Sequence, residues 1–77
     1  MELSEEQIQG IVLSFSYALS NLTKLSETKM GIRQEDVKDT ITKLANILEL
    51  RGMISSTAIK PFIEKTMEEY SKLYLIR

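Results

Sequence analysis

The chain is predicted to be all-α, a three-helix bundle with helices at about 4–30, 34–51 and 56–75. Three observations carry this. Apolar residues recur at intervals of three and four along three segments, strand-like alternation is nowhere sustained, and short punctuations containing Gly31 and Gly52 separate the segments. With 77 residues there is room for one domain, residues 1–77, and only a small core to hold it. Chains this short usually rely on disulfides, a metal, oligomerisation or very regular helix packing. Cysteine and histidine are both absent, so disulfides are excluded and the usual zinc ligands are missing. The bundle is therefore expected to self-associate into a larger helical assembly.

The first helix starts at Ser4, whose hydroxyl can cap it. Gln7, three residues on, completes a capping box, and Glu5 and Glu6 suit the positive end of the helix dipole. Ile8, Ile11, Val12, Phe15, Ala18, Leu19, Leu22 and Leu25 follow as the expected core stripe, centred on Phe15. Gly31 can supply the left-handed residue that ends the helix near Met30. The second helix carries Glu35, Asp36 and Asp39 early, an inner stripe of Val37, Ile41, Leu44 and Leu48 flanked by Ala45 and Ile47, and a stop at Gly52. The third begins between Ser56 and Ala58, with Pro61 confined to its first turn because it cannot donate to the ladder. Its inner stripe is Ile59, Phe62, Ile63, Thr66, Met67, Tyr70, Leu73 and Tyr74. Lys65–Glu69 and Glu68–Lys72 are expected ion pairs on the outside.

Charge narrows the function classes. Ten basic and 11 acidic residues leave a net charge of −1, with no basic tail to attract nucleic acid or anionic membrane. The start "MELSEEQ" is acidic and does not read as a secretory signal. A cytoplasmic protein with no membrane association is expected. Without histidine, acid–base catalysis would fall to carboxylates, lysines or tyrosines. The acidic pairs Glu5/Glu6, Glu35/Asp36 and Glu68/Glu69 are sequence neighbours that point about 100° apart on a helix, a poor geometry for a catalytic dyad. No phosphate-binding glycine loop or calcium loop is present. The expectation is a protein with no enzymatic activity, no metal and no cofactor.

The stretch 7–23, "QIQGIVLSFSYALSNLT", holds no charged side chain, whereas 27% of the whole chain is charged. A surface helix of a soluble domain normally keeps a charged outer face. Opposite the expected core stripe lie Gly10, Leu13, Ser14, Tyr17, Ser20 and Asn21, the expected interface. Gly10 and Ser14 form a ridge of small residues against which another helix backbone can come close, with Leu13 and Tyr17 as anchors. Gly10 in mid-helix costs about 0.8–1 kcal/mol relative to Ala, which a packing role would offset. The most direct partner is a second copy in a two-fold homodimer. Leu75 and Ile76, in the apolar run "LYLI", are a possible secondary contact.

Two alternatives belong to other classes. Residues 44–66 read as helix, glycine-containing turn and helix, the outline of a helix-turn-helix DNA-binding regulator. The second of these helices offers Ser55, Ser56, Thr57 and Lys60 and then turns acidic at Glu64 and Glu68, which phosphate would repel. Lys24, Lys29 and Arg33 are the possible nucleic-acid contacts in that reading. The other alternative is a non-catalytic accessory subunit of an enzyme. The main expectation is a small adaptor, regulator or complex subunit acting through protein–protein contacts.

Overall fold

The computed structural model describes residues 1–25 and 32–75 and forms a three-helix bundle: α1 (Glu5–Leu25), α2 (Val37–Leu50) and α3 (Ile59–Leu75). A 3-10 turn precedes each of the last two, Gln34–Asp36 and Ser56–Ala58. Among the described residues there is no strand. Residues 26–30, expected to continue the first helix, and Gly31, its expected stop, lie outside the described residues.

The local signals explain the ends of these helices. At the start of α1 the Ser4 backbone N–H donates to Gln7 Oε1 at 2.9 Å, and the Gln7 N–H donates to Ser4 Oγ at 3.2 Å. This is the reciprocal capping box, which satisfies two backbone donors that the helix itself cannot pair. At the end of α2, Gly52 takes φ +73°, the left-handed conformation that side chains disfavour. Its N–H donates to Glu49 O at 2.9 Å and the Met53 N–H to Leu48 O at 2.8 Å. These two bonds make a Schellman motif that reverses the chain toward α3. Pro61 stands third in α3, inside the first turn, where no intrahelical acceptor is forgone.

Backbone bonds fix the topology. The Leu3 N–H donates to Met53 O at 2.7 Å, joining the start of α1 to the turn after α2. The Ile32 N–H donates to Leu22 O at 3.3 Å, returning the chain beside the end of α1. α2 therefore runs antiparallel to α1. α3 runs parallel to α1, because Ser16 meets Thr66 and Lys24 Nζ donates to Leu73 O at 3.4 Å. Both other helices pack mainly on α3.

The buried apolar core comprises Val12 and Leu19 from α1, Val37, Ile41, Ala45 and Leu48 from α2, Ile54 from the turn, and Phe62 and Tyr70 from α3. Each fully buried Val, Leu, Ile or Phe contributes roughly 1.5–3 kcal/mol of transfer free energy. The expected inner stripes of α2 and α3 hold, and of the two residues expected to flank that of α2, Ala45 is buried and Ile47 is exposed. Tyr70 also stacks on Tyr74, ring centroids 5.6 Å apart.

The face of α1 differs from expectation. Ala18, Leu22 and Leu25, expected in the core, are exposed, while Ile8, Ile11 and Phe15 are half-buried. Val12 and Leu19 are buried as expected, and Ser16, Ser20 and Thr23 complete the buried face. The reason is the joint with α3. The Ser16 hydroxyl reaches two carbonyls, Val12 O at 2.6 Å and Thr66 O of α3 at 3.1 Å. A hydroxyl can touch the neighbouring backbone only if the helices approach closely, and only small side chains at the crossing permit that. Below it, Tyr70 OH donates to Thr23 Oγ1 at 3.3 Å, and Thr23 Oγ1 donates to Leu19 O at 2.7 Å.

Two stability measurements test this account. Gly52→Ala is expected to lower unfolding free energy by about 1–2 kcal/mol, because a Cβ must adopt the left-handed conformation. Open space around the position (the nearest atom is 4.0 Å away) leaves that strain as the only cost. Ser16→Leu is expected to cost about 1–3 kcal/mol by overpacking a fully buried site, whereas Ser14→Leu, at an exposed serine two residues earlier, stays within roughly 0.5 kcal/mol. Equal effects of the two serine substitutions in urea denaturation would contradict the assigned face.

Candidate interaction surface

The outward surfaces of the three helices are unlike one another. α2 carries the Lys43–Asp39 pair at 3.2 Å, and α3 carries Lys72 between Glu68 at 3.3 Å and Glu69 at 3.5 Å. Glu69 thus turns to Lys72 rather than to the expected Lys65. The hydrogen bond from Lys72 to Glu68, and then the charge of both carboxylates, hold the Lys72 ammonium's pKa above its ordinary value. These are ordinary solvated helix faces. α1 has no charged side chain between Glu6 and Lys24.

Of the six residues expected at the interface, five stand outward. Leu13 is 44% exposed and Tyr17 60%, high values for large apolar side chains. Gly10, Ser14 and Asn21 are exposed beside them. A Cβ built on Gly10 meets nothing within 4 Å, so the protomer itself gives no packing reason for a glycine there. Ser20 is the correction. It is buried, and its hydroxyl donates to Tyr17 O of its own helix at 2.9 Å. Its serine chemistry looks the same inside and outside, so only the helix phase could have placed it.

Sequence reasoning missed a second apolar surface. Because α1 and α2 both lean on α3, a groove of about 720 Å³ opens between them. Leu3, Ile11, Phe15, Ala18, Leu44 and Leu48 line it, with Gly10 and Ser14 at its lip. Exposed Leu22 follows on α1. Its heptad spacing marked this stripe as apolar, but that signal assigned it to the core.

The remaining expected contacts are scattered. Leu75 is exposed at the last turn of α3, and Ile76 lies outside the described residues. Lys24 bonds Leu73 O, Arg33 pairs with Glu35 at 3.4 Å, and Lys29 lies outside the described residues. Among the described residues, no three or more acidic side chains converge on a point where a metal ion could be held. No helix there is long and apolar enough to cross a membrane. Every buried side-chain polar atom there has a hydrogen-bond partner.

The chain matches no protein-family model, no curated protein and no solved structure. What can be said of function rests on this surface.

Gly10→Ala separates the contribution of α1 itself from that of a partner. In the dilute chain, it is expected to raise unfolding free energy by about 0.8–1 kcal/mol, the helix propensity difference, because the methyl group has open space. A loss of stability in thermal unfolding at low protein concentration would show that the methyl group is not accommodated within the protomer.

Proposed function

We propose that this protein is a non-enzymatic, cytoplasmic helical module that acts through protein–protein contact and pairs with a second copy of itself across the outer face of α1. The observation that supports this best is the exposed Leu13–Tyr17 pair on a helix face without charge, beside an open Gly10. Aromatic and aliphatic anchors beside small residues are the composition of an interface centre, not of a solvated helix. A small core without disulfides adds a thermodynamic motive, since covering these side chains stabilises both copies. A two-fold pair presents the same patch twice and needs no second gene product. The role that follows is a homodimeric adaptor, regulator or complex subunit.

Sedimentation equilibrium at tens of micromolar is expected to give twice the chain mass. Tyr17→Glu places a charge at the centre of the contact, and Gly10→Leu fills the ridge without harming helix propensity. Each is expected to weaken the dimer by at least about 30-fold, the scale of an interface hot spot. A stable monomer at that concentration overturns the homodimer. Steeply salt-dependent binding of duplex DNA would then favour the helix-turn-helix regulator, and recovery with an enzyme from the native host the accessory subunit.

A further inference from the structure

Resting on the reading of α1 as a self-pairing helix, the geometry points to where the second copy is held. We propose that the groove between α1 and α2 is the seat of a second copy, and that Tyr17 of each copy lies in the groove of the other. The two α1 helices then run parallel and cross at Ser14.

The exposed area sets the scale of the contact. The chain presents 5630 Å² to solvent, whereas a folded monomer of 8.8 kDa presents about 4,800 Å². The excess of about 850 Å² is close to the roughly 800 Å² that each partner hides in a standard-size interface. Leu13 and Tyr17, 44% and 60% exposed, cannot supply it alone, because even a whole aromatic side chain offers only about 150–250 Å². The groove can, and it is continuous with the outer face of α1 through Gly10 and Ser14 at its lip. None of its lining side chains is charged, so closing it desolvates no ion. The occupant must match that, and of the three helices α1 alone has a long stretch without charge, residues 7–23.

Symmetry decides the orientation. At 100° per residue, Ile11 and Tyr17 stand about 60° to either side of Ser14. Ile11 faces the groove and α2, and Tyr17 stands on the opposite flank, in solvent. A two-fold axis across the helices makes them antiparallel and sets both α2 helices on one side of the contact, competing for the same space. Both Tyr17 rings then fall on the other side, away from either groove. An axis along the helices instead brings Tyr17 of one copy to the side where the other copy has α2. There the ring covers Phe15 and Leu44. Ser14 lies on the axis, and Gly10 and Ala18, about 40° to either side of it, add little bulk. Parallel helices that meet through such small residues cross at about −40°. The crossing parts the helix ends and keeps the Glu6 carboxylates of the two first turns away from each other.

The chain has no cysteine, so single replacements in the full chain report the contact directly. S14C and G10C are each expected to form a disulfide with their own kind under mild oxidation, a bond that needs Cα atoms within about 7 Å. A18E, at an exposed position on the groove side of α1, is expected to raise the dimer dissociation constant at least about 30-fold with circular dichroism unchanged. Ala18 lies about 100° from Tyr17 and about 140° from Leu13, so a pair centred on those two side chains would not feel the charge. A wild-type chain that stays monomeric at tens of micromolar overturns the self-pairing reading and the groove seat with it. A wild-type dimer that folded A18E leaves intact, or in which S14C fails to link, overturns the groove seat and leaves self-pairing standing. The disulfides decide the matter by themselves if A18E unfolds the chain. A dimer in which G10C links to A18C in a mixture, and not to itself, overturns the parallel arrangement.

Discussion

The close joint between α1 and α3 decides how everything else is placed. Ser16 reaching the Thr66 carbonyl at 3.1 Å requires two backbones nearer than a leucine would allow. Once that joint is made, the rotation of α1 about its axis is no longer free. Val12 and Leu19 turn inward with the hydroxyls, Ile11 and Phe15 fall to the flank, and Leu13 and Tyr17 are left on the outside. The exposed apolar surface is therefore a consequence of the joint.

Burying hydroxyls is tolerable here because none is left without an acceptor. Ser16, Ser20, Thr23 and Thr66 each donate to a carbonyl of the preceding turn on their own helix. Such back-bonding removes the desolvation cost that an orphaned hydroxyl would impose. α3 matches this with Thr66, fully buried, where an aliphatic residue would be expected. The pairing of small hydroxyl residues on both helices is what distinguishes this interface from the aliphatic contact between α2 and α3.

Much of the architecture was legible in residue order. Ser4 with Gln7, Gly52, and the period of Val37, Ile41 and Leu48 are local or strongly periodic signals, and each does in the structure what its chemistry suggests. The phase of α1 was not legible. Its heptad of Ile8, Ile11, Phe15, Ala18, Leu22 and Leu25 is more regular than the stripe that is buried, and the two differ by about one residue's rotation, ~100°. Ser20 reads as surface because it lies opposite that heptad, and nothing local reports that a second helix will press on Ser16. The outward position of Leu13 and Tyr17 survived that error although Leu13 lies only about 20° from Ser20, with Tyr17 about 40° further round. Ser20 lies near the edge and did not. The groove between α1 and α2 depends on the angle between two helices, which no single segment encodes.

The hydroxyl joint gives α1 an unusual division of labour. What holds it to its own chain includes small hydroxyl residues beside Val12 and Leu19, and what it shows to the outside includes Leu13 and Tyr17. Cohesion within the chain and the exposed apolar surface therefore draw on different side chains of one helix. Mutational change can move one without the other: the outer face could turn from apolar to charged while the fold stays as it is. In most small bundles a single apolar stripe must serve both ends, and that freedom is absent.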